Sequence, residues 1–122
     1  MAKVLVVEDN PANMTLATFL LESGGHTVLS ATDAEAALVL ARAEQPNLIL
    51  MDIQLPGIDG LQARALLKAD EATRAIPVVA LTALAMKGDK ERIQSAGFDG
   101  YIAKPMRYQE FLAAITAQLG RA

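Results

Sequence analysis

Short apolar runs alternate along this chain with longer segments whose apolar residues recur at helical spacing. The short runs predict strands and the periodic segments predict helices. "KVLVV" (3–7) is the first strand. Asn10 then stands as a helix N-cap, with Pro11 at the first helical position. That helix runs to about Ser23, where Gly24 and Gly25 stop it. "HTVLSA" (26–31) predicts the second strand, and Thr32 with Glu35 has capping-box spacing for a helix through about Ala43. "NLILM" (47–51) predicts the third strand, followed after a loop by a helix over about Leu61 to Lys68. "IPVVALT" (76–82) is the fourth, with Pro77 near its start, where a missing donor does least harm. "KGDKERIQSAG" (87–97) reads as a polar helix with a glycine stop, and "GYIA" (100–103) as the fifth strand. The last helix spans about Tyr108 to Leu119, with Phe111, Leu112, Ile115 and Leu119 on one face.

Five βα units in series imply a parallel sheet covered by helices on both faces. "VLVV", "LILM" and "PVVAL" are continuously apolar, as strands covered on both sides should be. "HTVLSA" and "GYIA" are more polar or contain glycine, which suits the two edges. Strands 1, 3 and 4 inside and strands 2 and 5 outside fit the order 2-1-3-4-5, that of the flavodoxin-like α/β three-layer sandwich.

Composition narrows the chemistry. The 122 residues suit one domain, and 52% apolar with 20% charged residues is an ordinary globular balance. The formal charge of −3, with no dense basic stretch, argues against a nucleic-acid partner. The absence of cysteine excludes disulfides, thiolate metal sites and thiol catalysis. The single histidine, His26, reads as a surface residue at the start of a strand. No apolar run approaches the ~20 residues of a membrane span, and "VLVV" is too short for a signal-peptide core. The expectation is a soluble, cytoplasmic protein of one domain, residues 1–122, without an output domain or membrane insertion.

In such a sheet, ligands bind beyond the carboxyl ends of the strands, at the switch between strands 1 and 3. Strand 1 ends at Glu8–Asp9, strand 3 at Asp52, strand 4 at Thr82 and strand 5 at Lys104–Pro105. Taken singly, each has a bland reading. The acids could be solvated loop residues, Thr82 a helix cap and Lys104 a solvated cation. Their joint placement at four strand ends points further. Three converging carboxylates repel one another unless one is protonated, a lysine is near, or a divalent cation is bound. Hard oxygen donors favour Mg2+ or Mn2+. A metal with few protein ligands, a lysine and a hydroxyl can each take one phosphoryl oxygen. Asp52, alone on a central strand before an open loop, is the candidate nucleophile, because carboxylates form aspartyl phosphates.

These residues match a family. "VVEDN" (6–10), "LILMDIQLPGIDG" (48–60), "VVALTA" (78–83) and "GYIAKP" (100–105) resemble a response-regulator receiver domain of two-component signalling, over essentially the whole chain. The resemblance implies that Asp52 is the phosphoacceptor and a metal ligand. It implies Asp9 as the direct Mg2+ ligand, Glu8 as the neighbouring acid and Gln54 as the donor of a backbone carbonyl. It also implies Thr82 as the switch hydroxyl, Tyr101 as the switch aromatic, Lys104 as the partner of the phosphoryl group, and a cis peptide before Pro105. The implied partners are a histidine kinase or histidine phosphotransfer protein and an unknown downstream protein. The latter would be reached through the face formed by helix 4, strand 5 and helix 5. "AMKGDKERI" and "EDNPANM" look closest to DivK-type single-domain receivers and are also similar to receivers of hybrid histidine kinases. Leu84, two residues after Thr82, is expected to hinder water and lengthen the phosphorylated lifetime. Met86, Met106 and Tyr108 are candidates both for a partner surface and for the core.

Other readings are weaker. An aspartate-nucleophile phosphatase of the haloacid-dehalogenase pattern would want a second acid two residues after Asp52, where Gln54 stands. A flavin module would want a phosphate loop after strand 1, where "EDNPANM" is acidic. A pseudo-receiver without phosphorylation would not need the full residue set.

Overall fold

The computed structural model describes residues 2–53, 55, 57–58, 60–82, 91, 93–104 and 106–120. The strands are β1 (Lys3–Val7), β2 (Thr27–Ala31), β3 (Leu48–Asp52), β4 (Val78–Thr82) and β5 (Gly100–Ala103). The helices are α1 (Pro11–Ser23), α2 (Ala34–Glu44), α3 (Gly60–Ala69), α4, described at 91 and 93–95, and α5 (Tyr108–Leu119). All strand pairs are parallel and the sheet order is β2-β1-β3-β4-β5. This is the flavodoxin-like order expected from the apolar runs.

Burial follows the same logic. Every residue of β3 and β4 is buried, whereas β2 and β5 are partly exposed. Alternate residues of each inner strand serve opposite faces. Leu5, Val7, Ile49, Met51, Val78 and Ala80 pack with α2, α3 and α4. Val4, Val6, Leu48, Leu50, Val79 and Leu81 pack with α1 and α5. Removing a fully buried side chain such as Leu50 costs about 2–5 kcal/mol when cut to alanine. The α2 side is lined with small residues, Ala34, Ala37 and Ala41, which lets that helix lie close to the sheet. On the other side Phe111 and Ile115 are buried, while Leu112 and Leu119 pack partly buried against the same core.

Three boundaries differ from expectation for local reasons. Helix α2 is capped by Asp33, whose Oδ1 accepts from the Ala36 amide at 2.8 Å, so Thr32 stands one residue too early. A carboxylate also suits the positive end of a helix. Strand β4 begins at Val78 because Pro77 offers the ladder only its carbonyl, which accepts from the Ile49 amide at 3.0 Å. Strand β3 extends to Asp52, which sits opposite Leu81 in register. His26 is half-buried rather than a plain surface residue, and its Nδ1 accepts from the Ala2 amide at 3.2 Å. Met106 lies in the core and Tyr108 is exposed. Met86 and Leu84 are outside the described residues.

Candidate functional site

Four of the five strands deliver polar groups to the carboxyl rim. Glu8 follows β1, Asp52 closes β3, Thr82 closes β4, and Lys104 follows β5. The Lys104 amide donates to the Thr82 carbonyl at 2.8 Å, which continues the β4–β5 ladder by one rung and fixes where the lysine starts. Helix α1 begins just beyond β1 because Asn10 caps it, its Oδ1 accepting from the Asn13 amide at 3.1 Å. The same turn points the Asn10 amide at Glu8 Oε2, 3.1 Å away.

Glu8, Asp52 and Thr82 are all less than 5% exposed, unusual for such groups unless they are paired. For the two acids the pairing runs through Lys104. Its Nζ lies 2.8 Å from Glu8 Oε1 and 3.2 Å from Asp52 Oδ2. The Asp52 contact is a directed hydrogen bond, whereas Glu8 Oε1 accepts none and meets the lysine as a bare ion contact. Asp9 is exposed, yet its carboxylate lies with those of Glu8 and Asp52 inside a 4.8 Å cluster.

The electrostatics follow. Burial first, then the adjacent Asp52 carboxylate, holds Glu8 above the usual carboxylate range, against the pull of Lys104 and the Asn10 amide. Burial by itself would lower the Lys104 ammonium, but Glu8 and Asp52 outweigh it and hold its pKa above the ordinary lysine value. The rim is therefore a cationic side chain clamped between two buried acids, with a third acid at its mouth.

The donor set fits a small divalent cation. It offers three carboxylates, hard oxygens only, and one buried oxygen, Glu8 Oε1, that accepts no hydrogen bond. Gln54 and Pro105 lie outside the described residues. Tyr101 is half-buried on β5 and packs against the core on the α2, α3 and α4 side. The residues read from the sequence at 8, 9, 52, 82 and 104 thus meet at one end of the sheet. Sequence reasoning missed the direct Glu8–Lys104 contact, because the reach of a glutamate across to a fifth strand is not a spacing along the chain. It also missed the Asn10 amide on Glu8, which the predicted helix cap could have suggested.

The comparisons agree with this geometry. The family described as the response regulator receiver domain matches residues 4–116. The polar-differentiation response regulator DivK of Brucella ovis is 48% identical over 98% of this chain and 97% of its own length. DivK of Brucella anthropi is 47% identical over the same shares. Among solved structures, the receiver domain of a sensor histidine kinase from Pseudomonas aeruginosa is 37% identical, covers 98% of both chains and has a TM-score of 0.90; it holds a magnesium ion in its active-site cleft. The receiver domain of a signal transduction histidine kinase from Syntrophus aciditrophicus is 27% identical, covering 100% of this chain and 92% of its own, with a TM-score of 0.89. The sheet order, the acid cluster and these matches converge: the chain belongs to the response regulator receiver domain family.

Proposed function

We propose that this protein is a phosphoacceptor switch that takes a phosphoryl group onto Asp52 from a phosphohistidine partner, a histidine kinase or histidine phosphotransfer protein. The observation that carries the reading is the Lys104 ammonium held between two buried carboxylates, 2.8 Å from Glu8 and 3.2 Å from Asp52, with Asp9 alongside. Such a site is charged and preorganised for a group that brings more negative charge.

Glu8, Asp9 and Asp52 would hold Mg2+ (or Mn2+), with the Gln54 carbonyl as a further donor. When bound, such a cation would neutralise charge on the transferring phosphoryl group and on the entering carboxylate. The chain's own residues do the rest. An Asp52 carboxylate oxygen attacks phosphorus, the P–N bond breaks, and the imidazole of the partner leaves with its electron pair. Lys104 turns from Glu8 and Asp52 to one phosphoryl oxygen, and the Thr82 hydroxyl donates to another. Drawing Thr82 inward shifts the segment after β4, and Tyr101 follows into the space released. The α4–β5–α5 face is the element with two arrangements, and phosphorylation biases it only by its differential affinity for them.

On this reading residues 1–122 act as one receiver unit, signalling in the cytoplasm through protein contact or phosphorelay rather than by turnover of a substrate. The 48% identity to DivK over nearly its whole length supports signalling through a protein target. The likeness to histidine-kinase receivers supports a second setting, in which the same chemistry passes the group along a relay. No helix among the described residues is long and apolar enough to cross a membrane.

Incubation with acetyl phosphate and Mg2+, read by intact mass, tests the chemistry. A single phosphate adduct on the wild type and none on Asp52→Asn is the expected result. Equal labelling of both proteins, or none on the wild type, defeats it.

A further inference from the structure

Two glycines in the loop between β3 and α3 are glycine for different reasons. Gly57 has a φ of 73° with open space around it, so it supplies a left-handed turn. Gly60 opens helix α3 without a positive φ, so conformational freedom is not why it is glycine. Its reason is space. A Cβ there would stand 2.6 Å from the Asp52 carbonyl oxygen and 2.6 Å from Ile53 Cα. Both are backbone atoms, and neither can swing aside.

The backbone of Ile53 is held at both its amide and its carbonyl. The Ile53 amide donates to the Leu81 carbonyl of β4 at 3.3 Å, and the Gly60 amide donates to the Ile53 carbonyl at 3.2 Å. Ile53 and Leu55 are buried. The segment that leaves Asp52 therefore returns at Gly60 to touch the peptide it left.

We propose that Gly60 is a positioning residue for the phosphoryl-transfer site. Its missing side chain lets α3 start in contact with the Asp52–Ile53 peptide, and that contact sets where the end of β3, with Asp52, lies relative to Glu8 and Asp9. The inference rests on the reading that those carboxylates hold Mg2+. A methyl group at Gly60 displaces either the first turn of α3 or the end of β3. Displacing the end of β3 moves Asp52, one of the three carboxylates. Groups that orient metal ligands typically change affinity by roughly 10–100-fold when altered.

Gly97 provides the control. It has a φ of 87°, a Cβ there would come within 2.6 Å of Arg64 Nη2, and it lies before β5, at the far end of the sheet from the rim. Gly60→Ala and Gly97→Ala should both lose thermal stability. Mn2+ binding to the full chain, read from the paramagnetic resonance signal of the free ion, should weaken about tenfold or more in Gly60→Ala and by less than about twofold in Gly97→Ala. Equal affinity in all three proteins, or equal loss in both variants, overturns the proposal. A wild type that binds no Mn2+ overturns the underlying metal reading instead. If Gly60→Ala does not fold, hydrogen exchange of the Gly60 amide in the wild type decides the matter. Saturating Mg2+ should slow it at least severalfold, and an unchanged rate overturns the proposal.

Discussion

The two ends of the sheet use polar side chains in opposite ways. At the amino ends they serve the backbone. Asn47 Oδ1 accepts from the Lys3 amide at 2.9 Å, Asp99 Oδ2 accepts from the Val78 amide at 2.8 Å, and Lys68 Nζ donates to the Ile76 carbonyl at 2.8 Å. These side chains are partly exposed, and each closes a backbone group that the strand start would leave open. At the carboxyl ends the charged side chains face one another, Glu8 and Asp52 are buried, and Glu8 Oε1 is left without a hydrogen bond. One end completes the fold. The other holds unspent charge, which stabilises little by itself and is suited to receive a ligand.

The sharpest way to break this contrast is at Asp52. Asp52→Asn should abolish the phosphate adduct while leaving the fold intact by circular dichroism. Next comes Lys104→Ala. Removing the cation from between two buried acids should destabilise the metal-free protein by about 3 kcal/mol in urea unfolding with a chelator present. Adding Mg2+ should narrow the gap, because a second cation then compensates the same carboxylates. A gap that Mg2+ leaves unchanged would show that the lysine's role is packing alone.

At the opposite end the effects should be smaller and purely structural. Asp99→Ala deprives the Val78 amide of its acceptor and should cost about 1 kcal/mol, with an unchanged yield of phosphate adduct. The smallest effect belongs to His26. Burial first, and the nearby chain terminus second, hold its pKa below the usual histidine value of 6.5. A depressed pKa means that the folded state prefers the neutral ring, whose Nδ1 accepts from the Ala2 amide. Its stabilisation is therefore full above pH 6.5 and is lost as pH falls through the folded value. The wild type should lose more stability than His26→Gln between pH 7.5 and pH 5, measured by urea midpoints. Parallel pH profiles for the two proteins would remove His26 from the account.

Much of this was legible along the chain because the governing physics is local and periodic. A strand covered on both faces has to be apolar at every position, so "VLVV", "LILM" and "PVVAL" announced themselves as the inner strands. Asn10 with Pro11 announced the start of α1. Once the order was set, the residues at 8, 9, 52, 82 and 104 had to share one rim, because parallel strands all end on the same side. The cap of α2 was less legible, since Thr32 and Asp33 are both good caps and only the register of the first turn separates them.

The sequence by itself determined which residues reach the rim, because strand order and direction follow from the apolar pattern. Only the tertiary structure decided how those residues meet there. That the Glu8 carboxylate reaches Lys104 depends on the turn that Asn10 imposes, and on the extra rung that ties Lys104 to Thr82. That Gly60 must lack a side chain depends on the chain returning so close to β3 that a Cβ there would stand 2.6 Å from the Asp52 carbonyl oxygen. Distances of this kind are fixed by close packing between segments far apart in the chain, where a shift of one ångström changes the chemistry and leaves no mark on any periodicity.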